Sequence, residues 1–542
     1  GLSGSANQDQ NSSVINVEEM RQFLADSVGN ATGFAQNPLI EGPPKQAFLP
    51  VLSGMDPSML KKMPDWLQKS GELRSKIESD SEVVQTERKF YQQIRKKNFA
   101  EPKGSSAYEW LMSLEKRCQE KEWTAKPAWR SDFTEGVVTK SQQVINQYIS
   151  GNDGAIKDTA FGLCARELGL ALDFKSPNDV LYLPLLARQY FFKARSISPQ
   201  KIDNDLQRNN LASAIRNMYS SIRIEGNAGH HYNALGRLYA LNRQYDSALI
   251  MYRTAAQIAP RWKFPYNNMG SAFFEKGKAL RSRPLIDSSI HYYSYALQLD
   301  PKFGVALNNL GKAFQTLGEI SSAKKAFQRA VFIQPKLGDA YHSLGNIYRE
   351  EQNWDSAYSV LYQGVAVVPG NADLLVDLGN CHFDQSQEFS GSGKDSLLQA
   401  AKAYFLSSQT ILPEYVFSSI GLSNVYWDLK DYDSSAFFAG VAVKLDTTNA
   451  DYAHYQIDAL MKSAHWQEAS NVLKLMDRRF PTDPSHFLKW GNFYYKKKNA
   501  EKSLQCFKQA RKFGLVKKDF ESLDEWTLLR NESWFNTWFR SW

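Results

Sequence analysis

Four cysteines, Cys118, Cys164, Cys381 and Cys506, and eight histidines are what this chain offers for nucleophilic or metal chemistry. A cysteine nucleophile needs an imidazole within hydrogen-bond reach to take its proton. Cys381-His382 is the tempting pair, but neighbours on a helix point about 100° apart and cannot share one. His230-His231 has no cysteine beside it. The cysteines lie far apart with no C-x-x-C spacing, so neither a zinc pattern nor a disulfide framework is formed, and a reducing, cytoplasmic setting is expected. No phosphate-binding Gly-rich loop or H-E-x-x-H pair occurs. The chain is therefore expected to lack a Cys/His dyad, a metal site and a cofactor. One further stretch has the spacing of a calcium loop: Asn7, Asp9 and Asn11 at the first, third and fifth positions and Glu18 at the twelfth. Asn7 stands where Asp belongs and Ser12 where Gly belongs, so a polar turn leading to an Asn16 N-cap, with Glu19 three residues on, is expected instead.

Whatever function exists must then come from surfaces, and the composition says what can carry them. A chain of 542 residues is too long for one core. With 43% hydrophobic and 23% charged residues it has an ordinary globular composition, and no apolar run is long enough to span a membrane. The net charge of +8 is uneven: residues 1–60 carry six acids against two bases, which leaves +12 on the rest. Residues 43–70 are rich in Pro and Gly and are predicted to be a linker with one short helix. From there apolar residues recur at three and four spacing, which predicts a helical region over 106–179.

From about residue 180 the sequence repeats. Tyr232, Leu235, Gly236, Tyr239, Ala248, Tyr252, Ala255 and Pro260 recur as Leu307, Leu310, Gly311, Phe314, Ala323, Phe327, Ala330 and Pro335, and again from Tyr341 to Pro369. Small residues sit where two antiparallel helices touch, large ones fill the seam, and Pro ends the second helix. Two copies carry insertions, predicted to lie between their helices, one after Gly277 with Pro284 and one at QSQEFSGSGKDS before Ala400. This pattern resembles the tetratricopeptide (TPR) repeat. The resemblance implies an all-α fold, a right-handed superhelix of about nine helix pairs over 180–517. Residues 518–542, with Trp534, Trp538 and Trp542 at helical spacing, are predicted to be an aromatic capping helix.

A second resemblance covers the start. Gly1, Leu2, Gly4 and Ala6, a helix from Val17 to Val28, and Gln36-Asn37-Pro38-Leu39-Ile40 are similar, in order and spacing, to the C-terminal end of a bacterial caspase-like (metacaspase-like, clan CD) protease domain. It implies that residues 1–50 are a short α/β remnant of that domain, followed by linker and helices at 51–105. Its strand, Asn37 to Glu41, would need a sheet on another polypeptide, so an N-terminal caspase-like fragment is an expected partner. The parent or complex would then be the cysteine endopeptidase, and this chain its non-catalytic regulatory region. The alternative is a stand-alone adaptor or scaffold.

The TPR resemblance also implies a groove, lined by the second, fifth, sixth, ninth, twelfth and thirteenth positions of each repeat. Those positions hold a ladder of amides: Asn233, Asn267, Asn268, Asn308, Asn309, Asn346, Asn380, Asn424 and Asn492. A primary amide both donates and accepts, so it can pair with the backbone of an extended peptide. Phe264, Phe274, Phe383, Phe417 and Trp427 stand between them as candidate side-chain pockets. A protein or peptide ligand in the groove is expected. A basic patch at Lys496, Lys497 and Lys498, in a stretch with ten Lys or Arg and two acids between His486 and Asp519, is read as a solvated face, and nucleic acid is not an expected partner.

Overall fold

The computed structural model describes residues 77–123, 128–151, 158–197, 205–521 and 526–540. The calcium-loop look-alike, the caspase-like stretch, the 43–70 linker and Trp542 lie outside the described residues. Every element described is a helix, and no strand occurs among the described residues. The chain divides into two compact units, Gly1–Pro301 and Lys302–Trp542.

The first unit begins with α1 (Ser81–Lys96), α2 (Ala107–Glu120), α3 (Trp129–Ser150) and α4 (Asp158–Leu172). Three helix pairs follow: α5 (Tyr182–Ser196) with α6 (Asp205–Ile224), α7 (Gly229–Leu241) with α8 (Tyr245–Ile258), and α9 (Lys263–Leu280) with α10 (Arg283–Leu299). The second unit holds six more: α11 (Gly304–Thr316) and α12 (Ile320–Ile333), α13 (Gly338–Glu350) and α14 (Trp354–Val367), α15 (Ala372–Ser386) and α16 (Ser392–Ile411), α17 (Val416–Asp428) and α18 (Tyr432–Leu445), α19 (Ala450–Lys462) and α20 (Trp466–Arg479), α21 (Pro484–Lys496) and α22 (Ala500–Lys512). Three short helices close it: α23 (Lys517–Glu521), α24 (Trp526–Leu529) and α25 (Ser533–Arg540). The fold is thus all-α and built from the helix pairs of a TPR array.

The seam chemistry explains the repeat. In α11, a Cβ on Gly311 would lie 2.6 Å from the Phe327 ring, which is fully buried. Gly491 and Phe507 repeat the contact more tightly, at 2.1 Å. The helices approach until the aromatic edge meets bare backbone. Gly311→Val should therefore force the pair apart and destabilise it by about 1–3 kcal/mol, as overpacking generally does. Urea unfolding would measure this; a loss within about 0.5 kcal/mol, the range of an ordinary surface substitution, would mean the seam is loose.

The inserted length went mostly into helix, with residues 387–391 left as loop in the second case. Helix α9 has 18 residues and α10 has 17, against 13 and 14 in α11 and α12. Pro284 falls in the first turn of α10, where its missing N–H costs nothing. In the other case α16 grows to 20 residues behind Gly391, which holds φ 62°.

Two other features anchor the ends. In the first unit the Lys140 ammonium lies 2.7 Å from Glu167 Oε1 and also donates to the Lys97 carbonyl at 3.1 Å. The Glu167 side chain is 1% exposed, and burial pushes its carboxyl up despite the lysine. At the far end of the second unit, Phe535 and Trp538 of α25 close over Phe507 and Phe520.

Candidate binding face

The first helix of each pair presents the amides, and the two units use them differently. In the first unit Asn233 is 4% exposed and Asn267 5%. Asn268 Nδ2 donates to Asn233 Oδ1 at 2.9 Å, and Asn233 Nδ2 donates to the Tyr148 hydroxyl of α3 at 3.2 Å. Asn267 Nδ2 donates to Asn268 Oδ1 at 3.4 Å. This run of amides joins α3, α7 and α9, and is largely spent on the fold. Phe274 is half-buried under the Lys278 ammonium, 5.3 Å from the ring centroid.

In the second unit Asn308 is 2% exposed, and its carbonyl oxygen has no hydrogen-bond partner. Asn309 beside it is half-buried, while Asn492 is buried. Asn346 donates to Asp377 Oδ1 across the α13–α15 contact at 3.2 Å and accepts from Arg349 Nε at 3.2 Å. His342 Nδ1 lies 2.7 Å from Asp377 Oδ2, and Arg349 pairs with Asp384. The Asp377 carboxylate holds the His342 imidazole above its ordinary range, while burial raises the Asp377 carboxyl. Sequence reasoning missed this network. Its members sit at the fifth, ninth and twelfth positions of one repeat and the sixth and thirteenth of the next, so only a pairing of repeats could have revealed it.

Asn380 and Asn424 differ from all of these. They occupy the same ninth position in α15 and α17, are half-buried, and make no side-chain hydrogen bond among the described residues. Phe417 nearby in α17 is 53% exposed. Trp427 is half-buried, edge-on to Tyr432 at 5.2 Å and with the Lys462 ammonium 5.9 Å from its ring centroid. Phe383 packs partly into the core between α15 and α17.

The basic run is dispersed. The Lys497 ammonium sits 4.7 Å from the Trp466 ring centroid, Lys496 ends α21, and Lys498 turns the chain at φ 57°.

The thiols are poor nucleophiles. Cys381 is fully buried, with burial pushing its thiol up to about 12, and Cys164 is likewise raised to about 12. His382 lies between Tyr358 and Tyr404, stacked on the latter at 5.4 Å, with its Nδ1 3.1 Å from the Tyr358 hydroxyl. Among the described residues no group of three His, Cys, Asp or Glu could hold a metal ion. No described helix is long and apolar enough to cross a membrane.

The tetratricopeptide repeat family model matches residues 231–261 and 305–337. Among solved structures, the chain is similar to a human IFIT1 dimer with PPP-AAAA (13% identity, covering 70% of this chain and 95% of that one, TM-score 0.39). It is also similar to Pseudomonas aeruginosa pilF (16% identity, 44% of this chain and 97% of that one, TM-score 0.34). A thermophilic TPR protein of Thermus thermophilus shares 16% identity over 35% of this chain and 99% of its own length, with a TM-score of 0.30. No curated protein matches the sequence. The repeats make this a protein-binding or scaffold fold.

Proposed function

We propose that the chain is a non-catalytic protein-binding region that lays an extended polypeptide along the first-helix face of α15 and α17. Asn380 and Asn424 pair with the peptide backbone, and Phe383, Phe417 and Trp427 take its side chains. One observation carries the reading: these two amides stand at equivalent positions of successive first helices and are not used by the fold. A half-buried amide that the fold leaves unused keeps its donor and acceptor open, and a peptide backbone can take them in place of water. Asn233, Asn267 and Asn346, by contrast, already have internal partners.

The test uses peptides selected from a random twelve-residue library on the full chain. Binders are expected to lose about 30-fold in affinity on the Asn380→Ala/Asn424→Ala variant, since each desolvated amide pair contributes on the order of 1 kcal/mol. The variant should melt like the parent. Peptides that hold equally to both would leave the amides as a polar surface only.

We further propose that this region serves a bacterial caspase-like cysteine protease, recruiting its substrate, sensor or inhibitor. The support is the sequence order from Gly1 to Ile40, which has the character of the end of such a domain. The coding sequence upstream of Gly1 tests it directly, by the presence or lack of the His and Cys motifs of that family.

A further inference from the structure

We propose that His230 and His231 form an acid-sensitive latch in the first unit, which lets the start of α7 loosen from α5 as the pH falls below neutrality. The two imidazoles are 8% and 0% exposed, with centroids 4.3 Å apart. Phe191 of α5 packs against both, at 5.1 and 5.2 Å. Three of their four ring nitrogens, His230 Nε2 and both of His231, are buried without a hydrogen-bond partner. Only the Glu225 backbone carbonyl favours a proton on His231.

The charges that face the pair make protonation worse. From α5 comes the Arg188 guanidinium, which repels a charge on either ring and reaches Gln142 of α3 at 2.8 Å. After α6 comes Glu225, whose own carboxyl is raised by burial and so is a weak counter-ion; its backbone carbonyl gives His231 only partial support. The third neighbour is the other imidazole. Burial, the partner ring and Arg188 hold His230 well below its ordinary range. For His231, burial dominates, and its value falls from 6.5 to about 3.

The sign follows from linkage. A histidine depressed in the folded state contributes stability above pH 6.5, and that stability is lost as the pH falls from 6.5 toward the folded value. For His231 alone, opening should rise about 30-fold between pH 7.5 and pH 5. The effect should be local, because His342 in the second unit has the opposite sign and gains from acid. His454, lowered to about 4 in that same unit, responds through its own helix.

Hydrogen exchange of residues 225–241 in the full chain, corrected for the intrinsic pH dependence of exchange, reads the opening. The parent should lose at least about 30-fold in protection from pH 7.5 to 5, the share of His231 alone, and His230→Phe/His231→Phe should lose less than about threefold. His230→Gln/His231→Gln, which keeps polar groups but cannot charge, should lose most of the response even if the phenylalanine variant folds poorly. A parent whose protection at 225–241 is pH-independent would overturn the latch. So would a His230→Gln/His231→Gln variant that loosens as much as the parent.

Discussion

Lys140→Met is expected to destabilise the first unit by about 3–5 kcal/mol, the cost of leaving a buried charge without its partner. Glu167 is 1% exposed on its side chain, and its second oxygen, Oε2, has no hydrogen bond of its own. The 2.7 Å contact to Lys140 is the main offset to the loss of water, with smaller help from the Ala100 backbone and Arg166. With the ammonium gone, the carboxyl should rise further and take up a proton on folding. The variant should therefore regain stability as the pH falls, the direction opposite to that of the histidine latch. Lys140→Met/Glu167→Leu should recover most of the loss, since a packed apolar pair often matches a buried ion pair. Urea unfolding of the full chain, with hydrogen exchange of residues 129–172 as the local readout, measures all three. A single-variant loss below about 1 kcal/mol would mean that water reaches Glu167.

Phe507→Ala is the second large effect expected, about 3–5 kcal/mol for a fully buried phenylalanine. Phe507 meets Phe520, Phe535 and Trp538 at centroid distances of 5.1, 5.8 and 6.3 Å, so it is the shared floor beneath α25. Its removal should release α25 before the rest of the unit unfolds. Tryptophan fluorescence should shift to the red and protection at residues 533–540 should vanish at low urea. Phe332→Ala, at a ring 85% exposed, should change stability by less than about 0.5 kcal/mol. Equal effects at the two positions would contradict the packing described.

The seam was legible because it is written locally. Gly311 and Phe327 fall within one repeat, and a small residue facing a large one can mean only close approach. Depth across repeats was not legible. Asn492 and Asn380 occupy the same ninth position of their first helices, yet one is 5% exposed and the other half-buried. Periodicity assigns a residue to a face; how deeply it sinks depends on the neighbouring first helix. The His342–Asp377 contact joins two repeats for the same reason, and no pattern within either repeat announces it. Pro284, in the insertion after Gly277, sits in the first turn of α10, where a proline is at home.

A photo-activated cross-linking residue at position 417, 427 or 332, placed one at a time in the full chain in cells that make it, tests the binding face most directly. Positions 417 and 427 lie on α17 beside Asn424, whereas Phe332 stands on the second helix of another pair. Positions 417 and 427 are expected to join the same partner polypeptide, at neighbouring residues of one extended segment, with position 332 silent. Cross-links from position 332 to a partner that neither 417 nor 427 touches would place the binding surface on the second helices and contradict the proposal.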